Sequence, residues 1–272
     1  MSEPLPLSLV IIARDAAHEL PDCLASAAFA AETVVVDSGS SDDTAAVAAR
    51  CGARVIEHAW EGFGPQKNFA VGQAKHDWVL CLDADERVTP ELAAAIATLF
   101  TPAQPAAAAS TQPAAAAYSQ PAAAAYTIAR RNRFLGRWLA HGEGYPDWNI
   151  RLFDRRRARW SGDLVHEKVV ADGPAARLKG DLLHASAESI DAYIAKQNRY
   201  TTVQADAMHA RGERASAAQM VLSPVARFLR FYVFRLGFLD GLAGFAHIAI
   251  GAFASFLKYA KLRALQQDGR GQ

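Results

Sequence analysis

Over the first hundred positions the apolar residues come in short runs, and each run stops at a cluster of polar or small residues. "LSLVIIA" at 7–13 is rich in β-branched side chains and reads as a buried strand. "ETVVVDSG" at 32–39, "ARVIEH" at 53–58 and "DWVLCLD" at 77–83 repeat that pattern. Between the runs the apolar spacing is that of helices, in "AAHELPDCLASAAFA", "SDDTAAVAARCG", "GPQKNFAVGQAK" and "TPELAAAIATLF". Gly52 stops the second of these, and Thr89 followed by Pro90 starts the fourth as N-cap and first helical residue. Strand and helix therefore alternate. That order predicts an α/β fold, with a mostly parallel, Rossmann-like sheet and helices on both faces.

The pattern then breaks. "QPAAAAST", "QPAAAAYS" and "QPAAAAYT" begin at 104, 112 and 120, a tandem eight-residue repeat. Its units are too small for a solenoid, and proline recurs too often for one long helix. Residues 102–124 are expected to form a low-complexity surface insertion. Strands resume at 125–130 and 149–154, and a helix is expected from about 189 to 214. Beyond it the chain is apolar and aromatic, with arginine and lysine at both ends of the stretch.

Half of the 272 residues are apolar, enough for a sizeable core, and the net charge of +1 gives no sign of a nucleic-acid partner. Charge is nonetheless uneven, with nine arginines between 130 and 159. Cys23, Cys51 and Cys81 are odd in number and far apart, which fits neither a disulfide framework nor a zinc site and points to a reducing cytosol. The N-terminal stretch lacks a basic region and reads as a first strand rather than a signal peptide.

In open α/β sheets ligands bind beyond the carboxyl ends of the strands. Acid-bearing turns fall there: Asp15 after the first strand, Asp37 after the second, and Asp83 with Asp85 after the fourth. Small residues after Asp37 would let a backbone approach a ligand, although Asp37 and Asp42 could equally cap a turn and a helix. "LCLDADERVTP" places three carboxylates, Asp83, Asp85 and Glu86, at the end of a strand that wants burial. Asp-x-Asp at a strand end suits a hard cation, Mg²⁺ or Mn²⁺, which binds few carboxylates and completes its shell with water and phosphate oxygens.

"LSLVIIARDAAHELPDCLAS", "VVVDSGSSDDTAAVAARCGARV", "GFGPQKNFA" and "WVLCLDADERVTPEL" resemble family 2 glycosyltransferases, which have the GT-A fold. "RRNRFLGRWLAHGEGYPDWNIRLFDRR" and "VHEKV" resemble the bacterial branch that adds sugars to the lipopolysaccharide inner core, of β-1,4-glucosyltransferase type. The resemblance spans nearly the whole chain outside 102–124. It implies a sugar-nucleotide-binding half at 1–101, an acceptor-binding half at 125–188 and a helical region at 189–272. It implies a nucleotide-sugar site, with a UDP-sugar favoured, at Ala13, Asp15, Asp37, Ser38, Lys67, Asn68, Asp83, Ala84 and Arg87. Asp85, with Asp83, would hold the metal.

Transfer with inversion needs charge stabilisation for the leaving diphosphate and a general base at the acceptor hydroxyl. Glu167 and Asp147 compete for the base, with Glu167 favoured; an ion pair between Asp147 and Arg151 is the structural alternative. Arg130, His141, Trp148, Arg151 and His166 are the expected acceptor contacts. The arginine-rich segments suit an anionic acceptor such as phosphorylated core sugars. Competing functions are a nucleotidyltransferase, whose glycine-rich loop is missing from "VIIARDAAHE", and a sugar-nucleotide-binding scaffold without catalysis. The 22-residue stretch 236–257 could span a bilayer, pack as an ordinary helix, or lie on the inner membrane surface with Arg227, Arg230, Arg235, Lys258 and Lys261 as anchors. The last is the leading expectation, and it makes the protein cytoplasmic and peripherally membrane-bound.

Overall fold

The computed structural model describes residues 3–101, 121–162, 167–185 and 189–268. Two compact units divide the chain: Met1–Arg130 with Trp148–His184, and Arg131–Asp147 with Ala185–Gln272. Residues 102–120 of the repeat lie outside the described residues.

The first unit opens with β1 (Leu5–Ala13), α1 (Leu20–Ser26), β2 (Ala30–Asp37), α2 (Thr44–Arg50), β3 (Arg54–Glu57), α3 (Phe63–Gly72) and β4 (Trp78–Asp83). It continues with β5 (Glu86–Val88), α4 (Pro90–Leu99) and β6 (Ala125–Phe134), whose last four residues belong to the second unit. β7 (Arg137–Trp138) lies in that second unit. β8 (Asp147–Asp154), β9 (Ala158–Trp160), β10 (Val169–Ala171) and β11 (Ala176–His184) follow. The main sheet has the order β3-β2-β1-β4-β8-β6-β11-β5. β3, β2, β1 and β4 pair in parallel, as the alternating pattern predicts. β8 joins β4, and β5 joins β11, in antiparallel fashion.

Alternate residues of β1 feed two separate cores. Leu7, Leu9 and Ile11 join Leu80, Leu82, Leu92 and Ile96, whereas Val10 joins Val34, Val36, Val79 and Phe153. A sheet covered on both faces needs apolar residues at every position, which is why these strands read as continuous apolar runs. The Thr89 hydroxyl accepts from Leu92 N and so caps α4 as expected. Thr89 also pairs with the backbone of Asp181 on β11. There Gly180 has φ +88°, and a Cβ on it would lie 2.7 Å from Leu92 Cα, so only glycine lets α4 and β11 approach this closely. α1 is shorter than its apolar stretch suggests, because Pro21 sits in its first turn rather than in its interior.

The second unit is helical, with α5 (Ile190–Ala210), α6 (Ala217–Leu229) and α7 (Gly241–Asp268). Ser189 caps α5, and Ser216 with Gln219 forms a reciprocal capping box on α6. The end of β6 and β7 make a hairpin through Leu135 and Gly136, both at positive φ. The apolar tail is two helices rather than one segment. A wide helical turn at Arg230–Phe234 and a tight one at Gly237–Asp240 form an elbow between them. Asp240 is buried and accepts from the backbone N–H groups of Ala140 and His141. Gly237–Gln267 is long and apolar enough to cross a membrane, with mean hydropathy 1.4, yet 44% of that window is buried inside the protein.

Candidate active site

The carboxyl ends of β1, β2 and β4 lie level with one another. Ala13 is in register with Asp37, and Ile12 with Asp83, so all three acid-bearing turns share one edge of the sheet. The first two turns are laced together. The Asp15 carboxylate accepts from Ser41 N–H and hydroxyl, and Asp15 N–H donates to Ser40 Oγ. Asp37, almost fully buried, accepts from the Ser40 hydroxyl, while Ser38 N–H bonds Ala13 O at 3.0 Å. Asp42 takes the structural role weighed for it, accepting from Thr44 and from Ala17 N–H. Hydrogen bonds from Ser41 hold Asp15 below the usual carboxylate range.

At the third turn the three crowded carboxylates each meet a basic side chain from the chain itself. Asp83 receives Arg151 Nη2 at 2.7 Å on one oxygen and lies 3.3 Å from Lys67 Nζ through the other. Glu86, fully buried, receives Arg151 at 2.6 Å, has Arg130 at 3.5 Å, and accepts from Asp83 N–H at 3.0 Å. Asp85 Oδ2 lies 3.1 Å from His184 Nε2 at the end of β11. Burial by itself raises Asp83, but Arg151, Lys67 and Arg130 outweigh it and hold the carboxyl well below its ordinary range. Asp85 behaves likewise, with burial outweighed by His184. Burial disfavours the Arg151 charge, and Asp83 and Glu86 more than restore it.

Lys67 projects from α3 and ties the turn to a fourth carboxylate. Its ammonium lies 3.2 Å from Glu167 Oε1, just before β10, and 4.4 Å from the centre of the Trp160 ring. Asn68, next to it, clamps both N–H and C=O of Trp160 at 3.0 Å. Lys67, Asp83, Arg151 and Cys81 line a small cavity with Val10, Ile12 and Leu82. Burial pushes the Cys81 thiol up to about 12, so it stays protonated there.

Several expected residues have partners other than those expected of them. Arg87, expected at the donor, pairs with Asp22 at 2.9 Å. Ala84 packs against the larger core. Trp148 is exposed, with the Arg177 guanidinium 4.7 Å over its ring. Arg151, expected at the acceptor or on Asp147, is a buried counter-ion of Asp83 and Glu86. His141 and Asp147 belong to the second unit, where His141 contacts Asp240. His166 lies outside the described residues. Glu86 and His184 were not singled out for a role from the sequence. An arginine inside the apolar strand "NIRLF" was the one signal that the acid turn has a buried partner.

Among the described residues no group of three or more His, Cys, Asp or Glu side chains is placed to hold a metal ion. The donor chemistry still fits a hard cation that takes most of its shell from water and phosphate. Asp85 offers a carboxylate beside an imidazole nitrogen, whereas both oxygens of Asp83 are engaged by Lys67 and Arg151. The two acids are therefore not equivalent: Asp85, with His184, would be the better-placed holder.

The sequence profile described as Glycosyl transferase family 2 matches residues 8–163. The lipopolysaccharide core biosynthesis glycosyltransferase LpsC of Rhizobium meliloti is 33% identical, over 96% of this chain and 93% of its own. An uncharacterized glycosyltransferase of Rickettsia typhi is 31% identical, over 88% of this chain and 80% of its own. Among solved structures, mannosyl-3-phosphoglycerate synthase from Rubrobacter xylanophilus aligns over 76% of this chain and 75% of its own, at 18% identity and a TM-score of 0.46.

Proposed function

Because this chain belongs to glycosyl transferase family 2 and is a glycosyltransferase, we propose that it moves glucose or a similar hexose from a UDP-sugar to a lipopolysaccharide-core or other lipid-linked glycan, with inversion. The observation that carries this reading is Lys67, whose one ammonium contacts both the acid turn at Asp83 and the acceptor-side acid Glu167. Donor-side and acceptor-side groups are thereby within one residue's reach of each other.

In this reading Asp37 and Ser38 receive the nucleoside, and the Asp15 turn braces that edge. Asp85 and His184 would hold Mg²⁺ or Mn²⁺. The bound cation supplies charge neutralisation for the leaving nucleoside diphosphate. Lys67 adds a positive charge on the same side and positions Glu167 through its ion pair. Glu167 accepts the acceptor hydroxyl proton as the new glycosidic bond forms. Asp147, in the second unit, is the rival base. The exposed Arg157 and Arg159 of the arginine-rich β8–β9 segment favour an anionic acceptor. The name of the Rhizobium meliloti relative supports a lipopolysaccharide-core acceptor, and we propose that the reaction with such an acceptor runs at the cytoplasmic face of the inner membrane.

The test is a panel of sugar nucleotides offered with Mn²⁺ to core-lipid acceptors, read by mass spectrometry. One hexose added from a UDP-sugar, in the anomeric form opposite to the donor's, supports the proposal. Pyrophosphate release, or no sugar transferred from any donor, contradicts it.

A further inference from the structure

We infer that the α6–elbow–α7 surface is a docking face for an anionic bilayer, a conclusion that rests on the membrane location proposed above and identifies the side chains that meet the lipid. Large apolar side chains are exposed along it without a break. On α6, Leu222, Val225 and Leu229 recur at helical spacing on the outer face. At the elbow Phe234 is 80% exposed, and at the start of α7 Leu242 is 78% exposed. The rings of Phe228, Tyr232, Phe238 and Phe245 contact one another at 5.0–6.2 Å and stitch α6, the elbow and α7 into one apolar surface. Scattered exposed apolar residues are ordinary, but a contiguous surface of this kind marks a binding face.

Charge selects the occupant. From 217 to 263 the only acid is Asp240, and it is buried in hydrogen bonds to the 140–141 backbone. Every exposed charge on this stretch is therefore positive. A second copy would bring like charges together, whereas anionic headgroups complement them. The five expected anchors do not contribute equally. Arg227 is paired with Glu143, Arg235 donates to Tyr145 O, and Lys261 Nζ is held by Asn198, Thr201 and Thr202. Arg230, at the elbow, and Lys258, beside Tyr259, are the cations left to meet phosphate.

The face lies on the membrane rather than through it. The other side of α7 buries Ala243, His247, Ala252 and Ser255 within the helical unit, and the Tyr193 hydroxyl pairs with His247 at 3.2 Å. Crossing a bilayer would strip that face of its partners.

The full-length protein is sedimented with phosphatidylcholine vesicles containing or lacking phosphatidylglycerol. Wild type should bind the anionic vesicles more tightly. Phe234→Ser with Leu242→Ser should weaken binding to both by at least about tenfold, since each removes an apolar side chain that the bilayer would bury. Arg230→Gln with Lys258→Gln should weaken only the anionic case, roughly fivefold per cation. Wild type that binds neither vesicle, or an apolar double variant that binds like wild type, overturns the inference. A double variant that turns a dimer into a monomer in light scattering without losing vesicle binding also overturns it, in favour of a second copy. Transfer to a water-soluble, delipidated core oligosaccharide should be unchanged in both double variants. Failure of wild type in that assay would count against the transferase reading and leave the vesicle result standing.

Discussion

Asp83 and Glu167 are joined through one ammonium, with Lys67 Nζ 3.3 Å from the first carboxylate and 3.2 Å from the second. Lys67 is buried, so its charge is little screened and its loss leaves two acids short of a partner. Lys67→Met should lower stability by about 1–3 kcal/mol, the cost of leaving buried polar groups unpaired. It should also slow transfer at least tenfold, roughly, because Glu167 loses the contact that positions it. Urea unfolding and single-turnover transfer read the two effects. Native behaviour in both would contradict the bridging role.

Asp85 and His184 are the proposed cation holders. Asp85→Asn and His184→Gln should each weaken Mn²⁺ binding, by about tenfold or more for the carboxylate. Titration of Mn²⁺ in the presence of UDP, followed by calorimetry or electron paramagnetic resonance, measures this. An Asp85→Asn protein with wild-type Mn²⁺ affinity would remove Asp85 from the metal site.

Gly180 carries a purely structural prediction. It combines φ +88° with a close approach to the start of α4. Gly180→Ala should cost about 2–4 kcal/mol, from positive-φ strain together with overpacking against Leu92. A shift in the urea midpoint of that size is expected. A neutral substitution would mean that α4 can move away from β11 freely.

Glu32 should set part of the acid limb of stability. Burial raises its pKa, but the Ser8 hydroxyl, Lys75 N–H and Arg54 outweigh it and hold the folded value below 4.5. A depressed carboxylate stabilises the fold above its unfolded pKa and loses that contribution as pH falls through the folded value. Glu32→Gln should therefore be less stable at pH 7 and show a shallower loss below about pH 4.5. Parallel pH profiles for the two proteins would contradict this.

The first four strands were legible because burial on both faces writes them as unbroken apolar runs. Their acid-bearing turns were legible because carboxylates interrupt those runs abruptly. β11 was not, because Lys179 and Gly180 break its alternation, and only packing against α4 explains the glycine. β5, β9 and β10 are three residues each and depend on partners distant in sequence. The elbow in the tail was hidden by composition, since apolar residues continue straight across it. Within the site the acids could be read but not their basic partners. Arg151 and His184 reach Asp83 and Asp85 only once β8 and β11 have joined the sheet.

The central claim is tested most directly by single-turnover transfer at saturating donor and acceptor, with Glu167→Gln and Asp147→Asn side by side. Glutamine keeps the size and hydrogen-bonding capacity of Glu167 but cannot take the acceptor proton. General-base catalysis is typically worth about 10²–10⁴-fold in rate. Glu167→Gln should slow the chemical step by that order with UDP affinity little changed, and Asp147→Asn should cost much less. Loss of the chemical step in Asp147→Asn together with its retention in Glu167→Gln would contradict the account.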